Sequence, residues 1–367
     1  MNILILTTHF NTGGITSYVL TLAKGLRKNN HKVFVVSSGG NMVADIERAG
    51  VKHVCFDIRT KSEVSPKLYR ALPKLLRFIK ENNIDVIHSQ TRIAQVLAAI
   101  LSKISPVKHV STCHGFFKVR LFRRIFPCWG DATIAISRQV EDHLLHDFHL
   151  SSSKVFWVIH GISCDLNLLS QEESLKKRKE FGVAPGPLVG IVARLSNVKG
   201  HDILINAMRK VVDKKNDARL LVVGRGKIED HLKEMRKNLG LEDNIIFLPI
   251  INQVDTILSI LDIFVMPSRQ EGLGLSVMEA QAQGLPVVAS RVGGIPSLID
   301  NGTTGILVPP ENVDELAAAL IYLIENPDQA KQIGQRAKVF AKENFSIQRM
   351  INQTYAVYEK VCEKTKR

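Results

Sequence analysis

The chain has 367 residues, 45% of them apolar, which suits two domains of ordinary size and argues against a disordered polymer. Its five cysteines, Cys55, Cys113, Cys128, Cys164 and Cys362, are scattered, odd in number and without a C-x-x-C pair. That disfavours a disulfide framework or a zinc site and fits a reduced, cytoplasmic setting. The formal charge of +14 is uneven: residues 1–170 carry 22 Lys+Arg against 11 Asp+Glu, and residues 171–367 carry 27 against 24. The first half is therefore the part expected to meet something anionic, nucleic acid or a lipid surface, unless the basicity is general.

In chain order, MNILILTTHF has no basic leader region and no small-residue cleavage site, so it reads as a first strand rather than a signal peptide. No stretch approaches the ~18–20 apolar residues of a membrane span. NILILTT, KVFVVSS, KHVCFD, DVIHSQ, KHVSTCH, ATIAIS and KVFWVIH are short β-rich runs, with amphipathic helical stretches between most of them, such as 15–29, 66–82 and 91–103. This alternation predicts βαβ units and a parallel sheet. The pattern breaks over 161–187, which is polar and ends in Pro185-Gly186-Pro187; the interdomain connection is placed at its start, around 161–168. A second series follows: PLVGIVA, ARLLVVG, NIIFLPI, DIFVMPS, LPVVAS and TGILVP. The expected fold class is α/β, two tandem Rossmann-like domains facing a cleft, spanning 1–165 and 166–346. The closing helix, within 347–367, follows the second series and is expected to pack back on the first domain. Ligands in such sheets bind beyond the carboxyl ends of the strands.

Four loops at those ends hold candidate residues. Gly13 and Gly14 precede a helix, where adjacent glycines let backbone amides approach an anion; the spacing is not G-x-G-x-x-G, so a dinucleotide site is disfavoured, and a simple turn is the plainer reading. Arg194 and Lys199, in VARLSNVKG, suit a diphosphate, although two basic residues in a loop are more often merely solvated. No D-x-D triplet occurs to hold a metal, so no metal site is expected and the cations would do that work. Gly224, in GRGK, again permits backbone approach. The stretch RQEGLGLSVMEAQAQG places Glu271 in a loop and Glu279 inside the helix expected from Gly274 to Gln283, stopped by Gly284. A carboxylate accepts hydrogen bonds from vicinal hydroxyls, and the amides of Gly272, Leu273, Gly274 and Leu275 suit phosphate. A nucleotide-sugar has all three parts. Either glutamate alone would read as a helix-start residue favoured by the dipole.

Residues 267–312, PSRQEGLGLSVMEAQAQGLPVVASRVGGIPSLIDNGTTGILVPPEN, resemble the E-x7-E region of retaining glycosyltransferases with the GT-B fold, the family-4 type of glycosyl transferase group 1. ARLSNVKG at 193–200 and the N-terminal TGG loop extend the resemblance across essentially the whole chain. It implies that Glu271 contacts the donor sugar, Glu279 holds the ribose, and Arg194 and Lys199 bind the diphosphate. Gly272 to Leu275 match the backbone near phosphate and sugar, and Gly14 the loop over the donor phosphates. His114, in STCHG, matches a histidine near the transferred sugar; otherwise it is an ordinary strand-end histidine. Two departures, His160-Gly161 for Asn-Gly and Gly224-Arg225-Gly226-Lys227 for G-x-G-P-x, leave the donor open.

The implied reaction is a retaining, metal-independent hexose transfer from a UDP- or GDP-linked sugar, with no cofactor. The family is usually discussed as front-face attack, the leaving phosphate taking the acceptor's proton. The acceptor would be a glycan or glycolipid on the first domain. The basic, apolar segments 65–83 and 116–129 suit an anionic membrane surface, or else are core helices with solvated basic faces. The base would be read by backbone around Phe247 to Ile251. Three other readings stand beside this one: a nucleotide-sugar 2-epimerase on the same fold, a non-catalytic nucleotide-sugar binder, and a nucleic-acid binder. The last lacks a zinc motif or aromatic-flanked RNA-binding stretch, so no nucleic acid is expected.

Overall fold

A computed structural model describes residues 1–60, 62–119, 123, 125–164, 169–249 and 254–363. The chain divides into two compact units, one of Met1–Gly161 with the C-terminal helix Ile347–Glu363, the other of Ile162–Ser346. The division falls a few residues ahead of the expected 165/166 boundary.

The first unit is a parallel sheet of seven strands: β1 Asn2–Leu6, β2 Lys32–Ser37, β3 Lys52–Cys55, β4 Val86–Ser89, β5 Lys108–Cys113, β6 Ala132–Ala135 and β7 Val155–Trp157. The order is β3-β2-β1-β4-β5-β6-β7, so the direction of winding reverses between β1 and β4. Both sheet faces are covered, and the central strand β1 is apolar from Ile3 to Leu6, as parallel strands buried on both faces tend to be. In β1, Ile3 and Ile5 enter the core that takes the helix Ile347–Glu363, while Leu4 and Leu6 enter the opposite core, with helices Pro66–Glu81 and Arg92–Ile104. That C-terminal helix contributes Met350, Ile351, Val357, Tyr358 and Val361. A Cβ on Gly25 would lie 1.8 Å from the Cδ1 of Ile351, so a larger residue there in helix Gly14–Lys28 would force Ile351 to move at that crossing.

The second unit has six parallel strands: β8 Leu188–Val192, β9 Arg219–Val223, β10 Ile245–Leu248, β11 Ile263–Met266, β12 Val287–Ser290 and β13 Ile306–Val308. Their order, β10-β9-β8-β11-β12-β13, reverses between β8 and β11. Such a reversal opens a crevice at the carboxyl ends of the two flanking strands.

One segment differs from expectation, and a second follows the core-packing alternative of its two readings. Residues 171–180, inside the polar stretch 161–187, form a helix with no buried residue, held by a capping box between Ser170 and Glu173. Helix Pro66–Glu81 buries Leu68, Ala71, Leu75 and Ile79, so the segment 65–83 spends its apolar face on the core, leaving Tyr69 54% exposed. In the segment 116–129, residues 120–122 and 124 lie outside the described residues; Phe116, Val119, Ile125 and Phe126 are exposed. Among the described residues no helix is long and apolar enough to cross a membrane.

Candidate active site

The second unit gathers its candidate residues at the β8/β11 reversal. After β8 the chain makes a single 3-10 turn, Asn197–Lys199, and Gly200 then takes a left-handed φ of 68°. A Cβ at Gly200 would lie 1.9 Å from the Pro267 carbonyl oxygen, so the two loops meet backbone to backbone and only glycine fits. This contact brings the Lys199 ammonium onto the Glu271 carboxylate as an ion pair, the side chains 19% and 14% exposed. Arg269 clamps the same loops. It donates two parallel hydrogen bonds to Asp202, at 2.8 and 2.7 Å, one to Glu311 at 2.8 Å and one to the Asn197 carbonyl at 2.7 Å. These bonds hold the Asp202 carboxyl below its ordinary range and push the Arg269 guanidinium higher still. Sequence reasoning missed this clamp, although Arg269 and Asp202 each lie beside a recognised motif.

The turn after β12 braces the Glu271 loop. Gly293, at φ 51°, has no room for a Cβ, which would sit 1.7 Å from the Glu271 carbonyl oxygen, and Gly294 donates its amide to that oxygen at 3.1 Å. The helix Leu275–Gln283 starts at Gly274 and stops at Gly284, both left-handed. No side chain caps its start, no acid lies in its first turn, and the amides of Leu275 and Ser276 have no hydrogen-bond acceptor among the described residues. Free amides at a helix start, with the dipole behind them, suit an anion. Leu273 is buried, so it meets any ligand by backbone alone.

Glu279 lies inside that helix, half-buried and without a hydrogen-bond partner among the described residues. Burial, reinforced by Asp255, pushes its carboxyl up to about 7. Such a group is stabilised by hydroxyls that donate to it. Arg194 is exposed and makes no ion pair among the described residues. Gly224 has a local structural reason: a Cβ there would lie 2.0 Å from the Ala193 carbonyl oxygen. Phe247 ends within β10 under the Arg236 guanidinium, 5.7 Å from its ring centroid, while 250–251, part of the expected base-reading stretch, lie outside the described residues.

The first unit places Gly13, Gly14 and His114 at the carboxyl edge of its own sheet. The loop 11–14 is tied to the loop after β2: Thr12 donates its amide to Asn41 at 2.9 Å and Asn41 returns a bond to Thr12 at 3.0 Å. Gly13 caps helix Gly14–Lys28, which has no acid in its first turn, and a Cβ on Gly13 would make only an ordinary contact, 4.0 Å from the Asn11 carbonyl oxygen. His114 directly follows β5, its ring edge-on to Tyr18, 5.0 Å between centroids. Its Nε2 donates to the Gln90 side-chain Oε1 at 2.8 Å, which leaves Nδ1 as an acceptor. Burial, with His160 nearby, lowers His114 to about 3, so it is neutral. Behind it, His88 joins Thr112 at 2.6 Å to Tyr358 of the C-terminal helix at 2.7 Å.

Known proteins resemble this chain over most of its length. Residues 173–340 match the family described as Glycosyl transferases group 1, and residues 12–166 match Glycosyltransferase Family 4. The N-acetyl-alpha-D-glucosaminyl L-malate synthase of Bacillus anthracis is 25% identical, over 98% of this chain and 97% of that protein. A GDP-mannose-dependent alpha-(1-6)-phosphatidylinositol monomannoside mannosyltransferase of Mycolicibacterium smegmatis is 30% identical, over 50% of this chain and 51% of its own. The crystal structure of Anabaena HepE in complex with UDP and glucose superposes with a TM-score of 0.87 at 24% identity, covering 98% of this chain and 99% of that one, a likeness of fold. Two doubly wound parallel sheets, the braced Glu271 and Glu279 loop-helix, and two family matches that between them span most of the sequence place the chain among the group 1, family-4-type glycosyltransferases of GT-B fold.

Proposed function

We propose that the enzyme transfers a hexose, with retention and without a metal, from a UDP- or GDP-linked sugar to a hydroxyl of a lipid-linked or cell-envelope glycan. The observation that carries this reading is the Lys199–Glu271 ion pair, set beside a helix start whose first amides have no acceptor. One arrangement offers a cation and free amides to a diphosphate and a carboxylate to sugar hydroxyls. Departure of the nucleotide builds charge on the diphosphate. Arg194, Lys199 and the amides of Leu275 and Ser276 stabilise that charge as it grows, which is where binding energy lowers the barrier. Glu279 takes the ribose hydroxyls. His114, neutral and with Nδ1 as an acceptor, receives a hydroxyl of the transferred sugar, and the Gly13-Gly14 loop adds amides to the phosphates. Front-face attack fits: the leaving phosphate accepts the proton of the incoming hydroxyl. The relatives named above differ in donor and acceptor, so both are to be measured.

The acceptor falls to the first unit, which holds most of the surplus positive charge. The exposed Phe116, Val119, Ile125 and Phe126, interleaved with basic residues, support contact with an anionic membrane from the cytoplasmic side.

The test is transfer by Glu271→Ala and Lys199→Ala, each checked for folding. Both are expected to keep their fold and lose transfer by about 100-fold or more, as loss of a transition-state charge partner does. Turnover like the parent's in both would contradict the proposal. Incubation with donor alone separates transfer from 2-epimerisation, since an epimerase alters the sugar with no acceptor present.

A further inference from the structure

A cavity of about 910 Å³ belongs to neither set of candidate residues. It is lined by the residues that precede or open β5, β6 and β7, among them Val107, Lys108, Trp129, Asp131, Leu150 and Lys154. It therefore opens at the amino edge of the first unit's sheet. His114 lies at the other end of β5, so the length of that strand separates the cavity from the reaction.

Its wall is apolar and aromatic, with Phe126, Trp129 and Phe148 in it, the last two edge to face at 5.3 Å. Three lysines, Lys103, Lys108 and Lys154, line it and make no ion pair among the described residues. The two acids in the lining are already engaged. Asp131 accepts the His109 amide at 2.9 Å, and Asp147 pairs with the His143 ring. The rim carries Ile125 and Phe126, 61% and 53% exposed. A volume near the upper end of small-molecule sites, apolar walls and unpaired cations together describe a ligand with an apolar body and an anionic head. A nucleotide has the charge without the apolar body, and a neutral sugar has neither.

We propose that this cavity binds an anionic amphiphile, its tail against Trp129 and Phe148 and its head among Lys103, Lys108 and Lys154. The site is distinct from the donor site and stands whether or not the proposed transfer is right.

Trp129 is one of two tryptophans, so a Trp157→Phe variant leaves it as the single fluorophore at the cavity wall. The probe is a monomeric ω-bromoalkanoate, whose bromine quenches indole only at contact. Saturable quenching is expected. The matching neutral ω-bromoalkanol, and the combined Lys103→Ala, Lys108→Ala and Lys154→Ala variant, should each bind at least about tenfold more weakly, as expected for the loss of several partly screened charge contacts. Stabilisation of that triple variant by UDP or GDP should be unchanged. If Trp157→Phe does not fold, the parent protein is used and Trp129→Phe should abolish the saturable quenching. The proposal fails if quenching is unsaturable, if the alcohol binds as well as the acid, or if inorganic phosphate displaces the probe at equal concentration. It also fails if brominated anionic phospholipid vesicles quench while the monomer does not, which would make this a surface contact.

Discussion

Replacing Glu279 by glutamine should move stability and binding in opposite directions. The carboxyl is half-buried, has no hydrogen-bond partner among the described residues, and is pushed by burial and then by Asp255 from 4.5 up to about 7. The folded state thus holds a proton through a window where the unfolded chain has released it. Its contribution is present below that window and lost as pH rises through it. A rise from 4.5 to about 7, at ~1.4 kcal/mol per pH unit, amounts to about 3 kcal/mol by about pH 8. Glutamine carries no charge to desolvate. Urea unfolding should therefore find Glu279→Gln more stable than the parent at about pH 8, by up to about 3 kcal/mol, with the gap closing towards about pH 5. The same variant loses hydrogen bonds from ribose hydroxyls to a charged acceptor, worth about 1.5–3 kcal/mol, so nucleotide binding by calorimetry should weaken roughly 10- to 100-fold. A variant no more stable at the higher pH would refute the buried, unpaired carboxylate. Unchanged nucleotide affinity would refute its role at the ribose.

Gly293→Ala would set a Cβ 1.7 Å from the Glu271 carbonyl oxygen at φ 51°, so transfer should fall sharply and thermal unfolding should come earlier; parent-like values in both would show that the brace is dispensable. In the first unit, burial lowers His88 and His114 to about 3 and His109 and His160 to about 4. Each contributes stability that is present above the ordinary histidine value of 6.5 and lost as pH falls towards about 4 for His109 and His160 and about 3 for His88 and His114, at roughly 1.4 kcal/mol per pH unit per histidine. Urea midpoints should drop steeply between about pH 7 and pH 5; a flat profile would refute the neutral cluster. Gln90→Met removes the acceptor that fixes the His114 tautomer, so transfer should fall roughly five- to tenfold, about one hydrogen bond of 1 kcal/mol, with nucleotide affinity unchanged; Gln90→Glu should restore part of it.

Much of this fold is readable in one dimension because parallel strands buried on both faces are short apolar runs, and each run from NILILTT to TGILVP falls on a strand. The helix Gln171–Glu180 escaped because it buries nothing and so has no apolar periodicity, yet the pair Ser170 and Glu173 was a signal present in the sequence. At the site, Glu271, Lys199 and Gly274 were visible as residue types in sequence blocks. Their pairing was not, because it rests on Gly200 meeting Pro267 and on Arg269 reaching Asp202, 67 residues away. The path from Tyr358 through His88 to Thr112 was less visible still, since one of its bonds spans 270 residues. Gly224 has a reason the sequence hides: its missing Cβ makes room for the Ala193 carbonyl, whatever its part at a ligand.

The central claim, a nucleotide-sugar site built on cations and helix amides, is tested most directly by thermal unfolding with UDP, GDP, ADP and their common sugars, each with and without EDTA. A ligand that binds only the folded state raises the midpoint by mass action, by about 2.7 kcal/mol of stability at a hundredfold excess over its dissociation constant. The account predicts a clear rise with one uridine or guanosine diphosphate or its sugar, unchanged by EDTA and lost in Lys199→Ala. No rise with any of them, or a rise that EDTA abolishes, would contradict it.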